Sequence, residues 1–165
     1  MKKTSYLARC ALIAAAYAVL TLAFPAFSYG PIQVRISEAL CILPFFMGEA
    51  VWGLTVGCFI ANLIGVSFGV TLPWDVLIGT FATFVAAYIT RKIRIKWLLP
   101  IPTIVSNAVL IGMMLTYIIL PESEAVPLWY NMLTVGLGEL IACYALGMPL
   151  FAVFERVFGR ENNES

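Results

Sequence analysis

Six polar residues stand inside or at the edges of long apolar stretches in this 165-residue chain. They are Arg35, Glu38, Asn62, Asp75, Asn107 and Glu139. Carboxylates accept hydrogen bonds from amine and amide donors, side-chain amides both donate and accept, and a guanidinium only donates. Several of the six have aromatic neighbours, whose ring faces stack on planar groups. These residue types predict recognition of a small planar solute rather than covalent chemistry.

Arg35 and Glu38 form a distinctive pair, because opposite charges three residues apart can meet on one helix face. They belong to the segment Gly30 to Leu40, at the mouth of an apolar run. Two interpretations are open. The pair is part of an outer gate and binding mouth, or the two side chains bind only each other and pin the loop to the following helix.

The sequence contains no catalytic or metal-binding constellation. Histidine is absent, and the cysteines stand singly in apolar runs, without a C-x-x-C pair. Zinc and redox sites need such clusters, and there is no phosphate-binding glycine loop or nucleophile with a base. A net charge of +1 without a basic face argues against nucleic-acid binding. We therefore expect no enzyme, no metal and no cofactor in this chain.

The composition is that of an integral membrane protein, with 62% hydrophobic residues, 12% charged residues and a mean hydropathy of +0.95. Soluble domains are about half apolar and a quarter charged. A spanning helix needs about 20 apolar residues. Four stretches come near that length: Tyr6 to Phe24, Trp74 to Thr90, Leu98 to Leu120, and Leu128 to Phe154.

The remaining apolar stretch, Ile36 to Phe68, decides the number of spans. As one helix it would be about 50 Å long, whereas two helices turning at Gly48–Glu49 would each be short. Loops rich in Lys and Arg stay in the cytoplasm. Two helices place the basic loop Arg91 to Lys96 on the side of both chain ends, and they leave Arg35 as the single external basic residue.

The sequence thus predicts an all-α membrane bundle of six transmembrane helices, with both ends in the cytoplasm. We expect one domain over residues 1–165, with residues 1–5 and 156–165 as cytoplasmic ends. Rows of small residues let such helices approach closely in lipid. The third helix has such a row at Gly53, Gly57, Ala61, Gly65 and Gly69, for which we expect an internal crossing.

The first helix carries a row of alanines at steps of three and four: Ala8, Ala11, Ala15 and Ala18. An internal contact and a docking face for another membrane subunit are both open for it. Among the polar residues, Asp75 is either a helix cap or a ligand contact. Glu139 lies deep in the last helix, where an unpaired carboxylate is costly, so we expect it to face the interior.

The chain resembles the QueT family in an Ala-rich first helix followed, in order, by SYGPIQVRISEALCILPFF, GLTVGCFIANLIG, LPWDVLIGTFAT and VGLGELIACYALGMPL. That family consists of queuosine-precursor transporters, the substrate-binding S components of energy-coupling factor (ECF) importers. The resemblance covers nearly the whole chain. It implies an S-component bundle in a bacterial plasma membrane that binds a deazaguanine-type base from outside. Its partners would be a transmembrane coupling protein and two ATPase subunits, which would use the ATP.

The resemblance also implies roles for residues. In S components of this kind an Ala-x-x-x-Ala motif docks on the coupling protein; Ala11 and Ala15 fit it, and Ala8 and Ala18 extend the stripe. A deazaguanine presents a ring N–H beside an exocyclic amine, a donor pair that one carboxylate can accept. We expect Glu139 in that role, and Glu38 as second choice.

The other substrate contacts are expected from Arg35, Asn62, Asp75 and Asn107, with Trp74, Trp129 or Tyr130 stacking on the base. Asp75 or the second glutamate could neutralise an aminomethyl group. The alternative function is an autonomous proton-coupled transporter of a purine-like or vitamin-like solute, in which Glu139 takes up the proton. That alternative predicts uptake by the chain alone.

Overall fold

The computed structural model describes residues 2–24, 34–119 and 126–161, and this part of the chain is all-helical. The helices are α1 (Lys2–Ala23), α2 (3₁₀ over Ile36–Ile42, then α over Leu43–Phe46), α3 (Glu49–Ser67), α4 (Pro73–Thr90), α5 (Ile101–Met114, then a π-helix Leu115–Ile119) and α6 (Leu128–Leu140, a π-helix Ile141–Gly147, then Met148–Glu161). A 3₁₀ turn Lys96–Leu98 precedes α5. The expected all-α class is confirmed for these residues.

Helix α2 is much shorter than its neighbours. In the described residues, α1 and α3 to α6 each contain a stretch long and apolar enough to cross a membrane, whereas α2 is apolar but short. Its 7 residues of 3₁₀-helix and 4 of α-helix rise about 20 Å, against about 30 Å of hydrocarbon. The predicted division at Gly48–Glu49 is confirmed, because α2 ends at Phe46 and α3 begins at Glu49. A sixth complete span and the orientation stay predictions.

The glycine row of α3 is where α1 crosses it. A Cβ at Gly53 would lie 2.8 Å from Ile13 Cβ, and one at Gly57 would lie 2.8 Å from the Ala14 carbonyl oxygen. Such distances are below any normal contact, so only glycine lets the backbones come this close. The internal crossing expected for this row is confirmed at these two positions, and it fixes α1 against the bundle.

Charged side chains gather at one end of the bundle. Three contacts lie at this end: an ion pair of Arg9 with Glu49 at 3.6 Å, an ion pair of Lys96 with Glu155, and packing of the Arg91 guanidinium on Gly48. We call this end, defined by those residues, the basic end. The opposite end holds the starts of α4 and α6, with Trp74 and Trp129, and we call it the tryptophan end.

Helix α6 changes its winding next to its buried carboxylate. The π-helix Ile141–Gly147 begins two residues after Glu139. A π-helix inserts an extra residue per turn and often marks a functional site. Within it, Gly147 meets α2, where a Cβ would lie 3.2 Å from the Ala39 carbonyl oxygen. This close approach brings the 3₁₀ part of α2 beside the middle of α6.

Candidate functional site

A cluster of polar side chains lies inside the bundle, shielded from the lipid. Arg35, Glu38 and Glu139 are each at most 3% exposed, and Asn62 and Asn107 are also buried. Buried charges are stable only when they are paired or hydrogen-bonded. The five side chains come from α3, α5, α6, α2 and the residue preceding α2, so folding brings together residues that are far apart in sequence.

Glu139 is held by Asn107 across the α5–α6 interface. The Asn107 amide nitrogen Nδ2 donates to Glu139 Oε1 at 2.7 Å. The other carboxylate oxygen, Oε2, lies 3.8 Å from the Cys143 thiol, which is a weak donor. Since each carboxylate oxygen accepts more than one hydrogen bond, Glu139 is oriented and still has acceptor capacity.

Glu38 is held by the first helix. The Tyr17 hydroxyl donates to Glu38 Oε1, and Tyr17 is only 1% exposed. One helical turn further on, the Thr21 hydroxyl donates to Ser37 Oγ at 2.7 Å. Two consecutive turns of α1 therefore fix the position of the polar start of α2.

Arg35 is buried in the same region as the two glutamates, and its charge interacts with both Glu38 and Glu139. Glu38 also binds Tyr17, so Arg35 and Glu38 do not form a self-contained pair. The guanidinium also lies near Gly79 of α4, where a Cβ would be 3.9 Å from Arg35 Nη1. Arg35 thus interacts with carboxylates of α2 and α6 and lies next to α4.

Asp75 helps to cap α4 from the third helical position, whereas the N-cap residue itself is Leu72, so the cap role considered for Asp75 is correct in kind but not in position. Its Oδ2 accepts from the Thr71 hydroxyl and from the Leu72 N–H, the latter at 3.3 Å, at the start of α4. Its backbone carbonyl accepts from Asn62 Nδ2 at 2.8 Å. Asn62 therefore links α3 to α4. The ligand roles of both residues stay predictions.

Comparison with known proteins decides the family. The family model described as "QueT transporter" matches residues 7–156, nearly the whole chain. The chain belongs to the QueT transporter family. It is 37% identical over 86 residues to the "Queuosine precursor transporter QueT" of Lactococcus lactis subsp. cremoris (strain MG1363), over 50% of this chain and 47% of that protein. The match thus spans about half the length of that curated relative. No solved structure matches the chain.

The aromatic residues expected to stack on a base lie elsewhere in this QueT-family chain. Trp74, Trp129 and Tyr130 are between 46% and 65% exposed, at the tryptophan end. Exposed aromatic side chains at the ends of membrane helices commonly anchor the protein at the interface. The structure does not bring these three side chains into the buried cluster, and their stacking role stays a prediction.

The alanine row of α1 is divided between two faces. Ala8, Ala11 and Ala15 are exposed, whereas Ala18 is buried at 7% exposure. The face with Ile13, Ala14 and Tyr17 is the one turned to the bundle. The exposed stripe of small residues therefore ends at Ala15, because Ala18 belongs to the interior. Docking through this stripe stays a prediction.

Two polar contacts of the QueT-family chain escaped sequence reasoning. Tyr17 could have been noticed as a polar-tipped side chain on the face of α1 that carries Thr21, one turn away. The second is an interhelical bond, in which Asn131 Nδ2 of α6 donates to Thr116 Oγ1 at 2.9 Å. Apart from these two, the Cys143 thiol lies 3.6 Å from the Glu38 carbonyl oxygen and 3.8 Å from Glu139 Oε2, so it contacts both α2 and the Glu139 side chain.

Proposed function

We propose that this chain is the S component of an ECF importer in a bacterial plasma membrane and that it binds a queuosine precursor. The observation that carries the proposal is Glu139, a buried carboxylate fixed by Asn107 within the polar cluster of a QueT-family chain. The similar protein from Lactococcus lactis is named a queuosine precursor transporter. That name supports a queuosine precursor as the ligand, and we propose that the precursor is a deazaguanine-type base.

The cluster offers the hydrogen-bonding groups that such a base requires. The Glu139 carboxylate would accept the ring N–H and the exocyclic amine, since Asn107 already fixes its plane. Arg35 can donate to the ring carbonyl. Glu38, oriented by Tyr17, provides a second carboxylate. Preorganised side chains of this kind reduce the entropy cost of binding, which is what high-affinity capture of a scarce solute needs.

Uptake would need partners. The chain has no phosphate-binding motif, so ATP would be hydrolysed by the two ATPase subunits, while the coupling protein would dock on α1. The exposed stripe Ala8, Ala11 and Ala15 supports that docking, because it leaves a smooth helix face toward the lipid. Ala11→Trp should abolish co-purification with the coupling protein and leave ligand affinity unchanged. Loss of ligand binding as well would indicate an internal packing role.

A proton-coupled transporter is the second candidate, because Glu38 and Glu139 are two buried carboxylates in one cluster. A proton could neutralise either of them during transport. The two functions are separated by reconstituting the chain in liposomes, alone and with the coupling protein and ATPases. The ECF proposal predicts uptake only with the partners and ATP. Uptake by the chain alone that stops on collapse of the proton gradient would support the alternative.

The binding proposal is tested by calorimetric titration of the purified chain. The ligands are queuine, the aminomethyl and cyano deazaguanines, guanine and common vitamins. We expect at least one deazaguanine to bind with a Kd at or below about 1 μM, equivalent to roughly 8 kcal/mol, and the vitamins not to bind. Failure of every deazaguanine to bind at micromolar concentration would overturn the substrate assignment.

A further inference from the structure

Asp75 has one carboxylate oxygen in use and one without a partner. Oδ2 takes part in the cap of α4, whereas Oδ1 is buried and has no hydrogen-bond partner among the described residues. The residue is only 5% exposed. A buried polar atom without a partner is rare in folded proteins and calls for an explanation. Because Thr71 and Leu72 fix Oδ2, the direction of Oδ1 is fixed as well.

Asp75 borders the polar cluster. It stands four residues before Gly79 on α4, so the two positions share one helix face. A Cβ at Gly79 would lie 3.0 Å from Asn62 Nδ2 and 3.9 Å from Arg35 Nη1. The same face of α4 therefore carries Asp75 and the contact to the cluster, with Asp75 about one helical turn nearer the tryptophan end.

Gly79 also contacts α5, the helix whose Asn107 binds Glu139 of α6. A Cβ there would lie 3.9 Å from Ile111 Cδ1 of α5, and Ile111 is one turn after Asn107. Asn107 in turn binds Glu139. Asp75, about one turn from Gly79 on the same face of α4, therefore borders the cluster on its tryptophan-end side.

The charges of the cluster are unequal. Among the described residues the buried ionisable carboxylates are Glu38, Asp75 and Glu139, and Arg35 is the buried cation. Arg35 interacts with both glutamates. An acidic excess in a buried site is costly unless a carboxylate takes up a proton or a positive charge joins the site. A neutral base would leave that excess in place, whereas a base with a protonated amine would reduce it.

We infer that the ligand is a cation and that Asp75 Oδ1 accepts a hydrogen bond from its ammonium group. The inference rests on the proposed function and narrows its substrate class. Deazaguanines with an alkylamine substituent, namely the aminomethyl base and queuine, belong to this class. The cyano base does not, because a nitrile is neutral at physiological pH and accepts rather than donates. Asp75 thereby determines which precursor binds, while Glu139 accepts hydrogen bonds from the ring N–H and exocyclic amine that all of them share.

The test is the ratio of two dissociation constants measured by calorimetry on the purified full chain at neutral pH. We expect the aminomethyl base to bind at least about 30-fold tighter than the cyano base, since hydrogen bonds to charged groups are the strong ones. Asp75→Asn should reduce this ratio to below about threefold, mainly by weakening the aminomethyl base. Asn still accepts from Thr71 and Leu72, so the α4 cap is retained.

Glu49→Gln is the matched control, because it removes one carboxylate at the basic end, outside the cluster. It should leave the ratio unchanged. Equal affinity of the wild-type chain for the two bases would overturn the inference and leave the proposed function intact; so would an equal loss for both in Asp75→Asn. If neither base binds, the proposed function fails first, and this inference with it.

Discussion

Replacing Glu139 with Gln gives the sharpest test of the site. The change is isosteric and removes one charge. In the wild-type chain Asn107 Nδ2 donates to Glu139 Oε1 at 2.7 Å. In the variant this bond persists only if the new amide oxygen faces Asn107. The NH2 group then takes the place of Oε2 and points a donor at one of the two donors of the base.

The expected loss follows from that geometry. A hydrogen bond to a charged group contributes about 1.5–3 kcal/mol, and every 1.4 kcal/mol changes Kd tenfold. Loss of one such bond therefore weakens binding about 10- to 100-fold. The NH2 group of the variant and the N–H group of the base that faces it add to that loss, because neither donor has an acceptor. Folding should be little affected, since the variant no longer buries a carboxylate.

The assay is calorimetric titration with the tightest-binding deazaguanine, together with a thermal unfolding scan to verify the fold. Glu155→Gln is the matched control: it makes the same chemical change in a residue that contacts Lys96 at the basic end. Exposed ion pairs contribute at most about 1 kcal/mol, and no effect on Kd is expected. A folded Glu139→Gln chain with wild-type affinity would refute the assigned role of Glu139 and shift attention to Glu38.

Two further substitutions test the packing around the site. Gly57→Ala should lower the free energy of unfolding by about 1–3 kcal/mol, seen as a drop of roughly 2–10 °C in Tm. Gly136→Ala is the control, because its added Cβ would meet its nearest neighbour at an ordinary 3.5 Å and should be tolerated. Equal Tm values for the two variants would contradict a close crossing of α1 and α3. Tyr17→Phe removes the donor to Glu38 and should weaken ligand binding by about three- to tenfold. An unchanged Kd would show that this hydrogen bond does not orient Glu38 for binding.

Much of the fold could be predicted because it depends on local pattern. The stretch Ile36 to Phe68 is long for one helix, and the basic loop Arg91 to Lys96 lies on the cytoplasmic side only if the stretch forms two, so a break near Gly48–Glu49 could be predicted. The glycine row indicated a close crossing for the same reason, since only small residues permit it. The unusual winding of α2 and of Ile141–Gly147 had no such signal, because both depend on packing between distant segments.

For the site, the sequence indicated which side chains are buried but not all of their partners. The depth of Glu139 in its helix predicts that it faces the interior, since an unpaired carboxylate is costly in lipid, and Asn107 is predicted to contact the substrate, yet nothing local shows that the two bind each other. Trp74 stands beside Asp75 in sequence, and that proximity suggested a shared site. Consecutive residues on a helix point about 100° apart, and in the structure one is half exposed and the other buried.

The short α2 has a consequence for how the protein is made. A segment of 11 residues that begins beside Arg35 and contains Glu38 is too short to span a bilayer by itself, and inserting it alone would expose a carboxylate to lipid. We expect α2 to enter only together with α3, as a hairpin bent at Met47–Gly48. Helix α1 would already be in the membrane, so that its Tyr17 and Thr21 hydroxyls can bind the start of α2. The binding cluster would then form late in biogenesis, when α6 supplies the last carboxylate.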